Sequence, residues 1–63
     1  MKVEIKGLGV LETEPKVLNH IATAFFSAAI KYEAEGCPSL SAETQQIAFV
    51  IYEELDKIGY FND

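Results

Sequence analysis

Arginine does not occur in this chain of 63 residues, and cysteine and histidine occur once each. The missing arginine removes the best bidentate reader of phosphate, and ten acidic against five basic residues give a net charge of −5. A nucleic-acid binder needs a basic surface to neutralise phosphates, so that class is excluded. With Cys37 alone there is no intrachain disulfide, and Cys37 with His20 cannot assemble a zinc site of the ordinary Cys/His kind. No apolar run is long enough to span a membrane. A lone cysteine suits a reducing compartment, and Met1 leads directly into alternating KVEIK rather than a signal-peptide pattern. The expectation is a complete, soluble, cytoplasmic product. No cofactor and no metal are expected.

Catalytic constellations are also missing. Gly7-Leu8-Gly9 lacks the third glycine of a dinucleotide fingerprint and any following Walker lysine and serine, so it reads as a turn. His20 has Lys16, Thr23, Ala24 and Ser27 as its helical neighbours, and no nucleophile and base pair is implied, because Ser27 lies two turns along. Cys37 precedes a proline in the break between the helices and reads as a packed or idle cysteine, with an intersubunit disulfide as the minor alternative. Glu53 and Asp56 are turned away from Glu54 around a helix and do not converge as a metal or acid/base pair would. The expectation is a protein that is not an enzyme.

What is present is apolar surface. The hydrophobic fraction is 49%, yet a chain below about 70 to 80 residues rarely gains more than ~3–5 kcal/mol from a single core. Without disulfide or metal, oligomerisation is the remaining supplement.

Lys2 to Lys6 alternate polar and apolar, the pattern of a half-buried strand, and Val10 to Thr13 resume it after the glycines. A three-residue loop at Gly7 to Gly9 pairs Ile5 with Leu11 and Val3 with Thr13, keeping the apolar pairs on one face. A two-residue loop would set Glu4 opposite Leu11, and a single strand bulged at the glycines is the third arrangement. Two strands leave two open edges, which pairing between subunits would close.

Pro15 to about Glu35 reads as a helix with Thr13 as its N-cap and Pro15 in its first turn. Val17, Leu18, Ile21, Ala22, Phe25, Ala28, Ala29 and Tyr32 form its core stripe. Phe26 and Ile30 lie beyond that stripe, beside Asn19 and Glu33. The remaining face, with Lys16, His20, Thr23, Ser27 and Lys31, is polar but small. Gly36 and Pro38 end this helix. Ser41 is read as the cap of a second helix, with Glu43 in its first turn, ending near Ile58 at a Schellman-type cap on Gly59 with Tyr60 folding back on Leu55. Its core stripe is Thr44, Ile47, Ala48, Ile51, Tyr52, Leu55 and Ile58. Phe49 and Val50 fall outside it on opposite sides, Val50 amid Glu43, Gln46, Glu53, Glu54 and Lys57.

The fold class is therefore α+β, one domain of an N-terminal β-hairpin followed by two antiparallel helices (ββαα), its sheet completed by oligomerisation. The charge divides unevenly: four lysines against three glutamates in residues 1–31, and Lys57 against seven acidic residues in 32–63. A charge-selected partner is then a basic protein surface. The functional expectation is an acidic homo-oligomer, dimeric at its simplest, acting as an adaptor or inhibitor. Phe26, Ile30, Phe49 and Phe61 supply its oligomer interface, and Glu43, Val50, Glu53 and Glu54 bind its partner. The alternative is a binder of a nucleotide-like small molecule, its pocket formed between subunits and lined by Lys16, His20, Thr23, Ser27 and Lys31. The size and acidity of the chain also suit a product of a phage or mobile element.

Overall fold

The computed structural model describes residues 1–62, and the order of elements is strand, strand, helix, helix. β1 (Lys2–Ile5) and β2 (Gly9–Glu12) form an antiparallel hairpin, and α1 (Pro15–Ala34) and α2 (Pro38–Lys57) follow. β1 alternates as its sequence alternates: Val3 and Ile5 are buried while Lys2 and Glu4 are exposed.

The hairpin register differs from the expected one by two residues. Val3 stands opposite Leu11, Ile5 opposite Gly9 and Lys2 opposite Glu12, and the Thr13 amide donates to Met1 O at 3.0 Å. The connection is still three residues long, but it is Lys6-Gly7-Leu8. The Leu8 amide donates to Ile5 O at 3.0 Å, and Gly7, third residue of that turn, has φ +87, as a type II turn requires. The turn at Gly7 and the charges across the strands both favour the observed register. The expected register sets Glu4 opposite Glu12, whereas the observed one sets Lys2 opposite Glu12 with an ion pair of 3.6 Å. A shift of two preserves the apolar face, because side chains alternate with period two.

Neither helix begins at its expected cap: α1 starts one residue later and α2 four residues earlier. Glu14, not Thr13, is the N-cap of α1, with Pro15 inside its first turn. Pro38 opens α2 rather than merely ending α1, so Cys37 is the N-cap, Ser41 lies inside the helix and Glu43 is not in its first turn. Proline suits an initial helical position, where an amide would be unpaired. Freed from capping, the buried Ser41 hydroxyl donates across to Ala29 O of α1 at 2.8 Å.

The C-termini follow their sequence signals. Gly36, at φ +80, lets the Cys37 amide donate to Tyr32 O at 2.9 Å and the Gly36 amide to Glu33 O at 3.1 Å, the two bonds of a Schellman ending. α2 closes in the same way, with the Tyr60 amide donating to Leu55 O at 3.0 Å.

The helices are antiparallel, since Thr23 meets Tyr52, Phe26 meets Phe49, and Ala29 meets Ser41. One core joins them to the hairpin: Val3, Ile5, Leu18, Ala22, Ile51 and Leu55 are buried together, with Met1, Leu11, Ile21, Ile47 and Tyr52 packed around them. Ile58, expected in that core, is 56% exposed, because it is the C-cap of α2 and the chain turns away there. Val17 is exposed as well. The hairpin covers one side of the helix pair and leaves the other side open.

Candidate functional site

At 100° per residue, the side of α2 turned from the hairpin carries Gln45, Phe49, Tyr52 and Asp56, and the matching side of α1 carries Lys16, Asn19, Thr23, Phe26, Ile30 and Glu33. Contacts tie these two stripes into one surface. The rings of Phe26 and Phe49 lie 5.8 Å apart between centroids, and Thr23 Oγ1 and the Tyr52 hydroxyl share a hydrogen bond of 3.0 Å. Phe61 joins the same surface by folding onto Tyr52 at 6.0 Å, with Tyr60 edge-on to it at 5.2 Å.

All four residues expected to form an oligomer interface thus lie on one face. Ile30 is 61% exposed, Phe49 50% and Phe61 48%, while Phe26 is half-buried. Toward the interhelical turn the face opens into a groove of about 540 Å³ walled by Phe26, Ala29, Ile30, Glu33, Ala34, Ser41 and Gln45. The groove exists because Ala29 and Ser41 are small where the helices meet. Tyr52 and Tyr60 belong to this face and were not among its expected residues. Tyr52 fell on the core stripe by helical angle, and Tyr60 follows the helix, where periodicity gives no direction.

The acidic flank of α2 also assembles, on the side toward the hairpin turn. Val50, 36% exposed, borders a cleft of about 300 Å³ with Ile5, Lys6, Gly7, Leu8, Glu43, Gln46 and Ile47. Glu53 and Glu54 both reach Lys57, at 3.8 and 3.3 Å. These bridges are surface pairs worth about 0–1 kcal/mol and leave the carboxylates open to a competing cation. Lys6 lines the same cleft as Glu43, so the flank is less acidic than α2 alone.

The small polar face of α1 is not brought together as a pocket. Lys16, His20, Thr23, Ser27 and Lys31 are all exposed, and the clefts at the hairpin and between the helices are walled by other residues. Thr23 is engaged by Tyr52. Cys37 is a half-buried free thiol at the start of α2. Among the described residues no group of three or more His, Cys, Asp or Glu side chains is placed to hold a metal ion, and no helix is long and apolar enough to cross a membrane.

Compared with protein-family models, with curated proteins and with solved structures, the chain matches none of them.

Proposed function

We propose that this protein is a non-enzymatic, cytoplasmic interaction module that associates with itself and engages a basic protein surface, as an adaptor or an inhibitor. The observation that carries this reading is the open face of the helix pair, where Phe26 packs on Phe49 and Phe61 on Tyr52 beside exposed Ile30 and a groove. Contiguous exposed aromatics of this kind mark protein contacts and supply their energetic anchors. The molecule is only 15 Å deep along its shortest axis, so its own core has few layers to draw on. A second subunit on the open face would bury that surface and add the stability that a 63-residue chain lacks.

The acidic flank supports the second half of the reading. Glu43, Glu53 and Glu54 surround exposed Val50, a polar rim about an apolar spot. Because this flank and the open face lie on different sides of α2, self-association leaves the flank accessible.

Native mass spectrometry of the protein purified from cells tests the reading directly. A clean oligomer is the expected result, and Phe26→Glu with Ile30→Glu should reduce it to monomer while circular dichroism stays helical. A clean monomer, or an oligomer indifferent to that double substitution, would overturn it. An oligomer retaining a few hundred extra daltons (roughly the mass of one nucleotide-sized ligand) would instead favour a ligand pocket between subunits. Charge reversal at Glu43, Glu53 and Glu54 is expected to abolish capture of a basic partner without changing the oligomer mass.

A further inference from the structure

The open face carries a pattern that specifies how two copies meet. On α1 its residues follow a strict three-four spacing, Lys16, Asn19, Thr23, Phe26, Ile30 and Glu33, with a cation at one end, a carboxylate at the other, and two polar then two apolar side chains between. On α2 the stripe is Gln45, Phe49, Tyr52 and Asp56, also spaced by fours and threes. Neither Lys16 nor Glu33 takes part in an ion pair, those among the described residues being Lys2 with Glu12 and Lys57 with Glu53 and Glu54.

We propose that two copies stack open face to open face about a two-fold axis perpendicular to the helices, α1 antiparallel to α1 and α2 antiparallel to α2, with Lys16 of each copy paired to Glu33 of the other. This rests on the self-association proposed above and assigns its geometry. An isologous contact must be self-complementary, and at the charged ends of α1 this register is. On α1, Lys16 meets Glu33 of the second copy, Asn19 meets Ile30 and Thr23 meets Phe26. On α2, Gln45 meets Asp56 of the second copy and Phe49 meets Tyr52.

The two registers are independent in sequence, yet one straight axis has to satisfy both. The α1 register makes the axis cross between Ala24 and Phe25, and the α2 register makes it cross between Val50 and Ile51. Within one chain these points lie at the same height. Phe26 stands beside Phe49 and Thr23 beside Tyr52, pairs placed symmetrically about the two crossing points in antiparallel helices. The other two-fold arrangement, α1 against α2 of the second copy, sets Phe26 against Phe49 but leaves Glu33 at the level of Ala42, with no complementary charge. The result is two stacked helix layers, four helices in all, with a hairpin on each outer side.

A charge swap tests the register. Lys16 and Glu33 are seventeen residues apart on one helix, about 25 Å at 1.5 Å per residue, too far to interact within a chain. Any energetic coupling between them is therefore between copies. By sedimentation equilibrium, Lys16→Glu and Glu33→Lys are each expected to lower the association constant roughly tenfold, since two attractions become two repulsions. The double variant, Lys16→Glu with Glu33→Lys, should return to near the wild-type value, with circular dichroism confirming the fold of all three. Single variants that associate as wild type, or a double variant as weak as the two losses combined, would overturn the register. If Phe26→Glu with Ile30→Glu dissociates the protein while the charge variants do nothing, the register falls and self-association stands. A monomeric wild type removes both.

Discussion

Ser41 and Gly36 show how much of this fold hangs on single groups. The Ser41 hydroxyl is the buried polar link between the helices, donating to Ala29 O at 2.8 Å. Ser41→Ala should cost about 0.5–1.5 kcal/mol, the net worth of a buried hydrogen bond, read as a lower urea midpoint with unchanged slope. Gly36 adopts φ +80, so Gly36→Ala adds roughly 1–2 kcal/mol of left-handed strain, although nothing obstructs the added Cβ. Leu18 is fully buried at the centre of the core. Leu18→Ala removes about 2–5 kcal/mol from a chain whose core supplies ~3–5, so the expected outcome is loss of the cooperative thermal transition. A retained transition would mean that association carries more of the stability than the core does.

The hairpin register is settled at the scale of an element. Lys2 faces Glu12 at 3.6 Å, and Glu4 faces Val10. Glu12→Lys therefore sets like charges opposite each other and should destabilise by about 0.2–1 kcal/mol. Lys2→Glu with Glu12→Lys should recover most of that loss. The sign discriminates between registers: with Glu4 opposite Glu12 the same Glu12→Lys substitution would stabilise, so a raised urea midpoint would refute the observed pairing.

The whole molecule couples folding to concentration if it associates as proposed. A partner that binds only the folded chain stabilises by mass action, so the thermal midpoint should rise with protein concentration. In Phe26→Glu with Ile30→Glu the midpoint should become independent of concentration and fall to the monomer's value. A wild-type midpoint unchanged over a hundredfold dilution, about 2.7 kcal/mol of linkage for a tightly bound partner, would show that the open face contributes nothing to stability.

Local chemistry determined the elements of this protein. Strand alternation at Lys2 to Lys6, proline in the first turn of α1, and glycines placed for left-handed helix endings act over a few residues, so element order, the ββαα class and both helix C-termini were legible without the structure. Three kinds of feature depended on distant residues. Hairpin register depends on which residues stand opposite across the strands and on where the chain turns, and both registers keep the same apolar face. Pro38 can either end one helix or begin the next, and where α2 begins decides whether Ser41 caps it or, as observed, bonds across to Ala29. The open face needed most from tertiary structure. Helical angle could place Phe26, Ile30 and Phe49 off their core stripes, but not say that Phe26 and Phe49 touch or that Phe61 folds back onto Tyr52. Periodicity describes each helix about its own axis. Only the packing of α1 on α2, with the hairpin covering one side, decides which residues of both share the uncovered one.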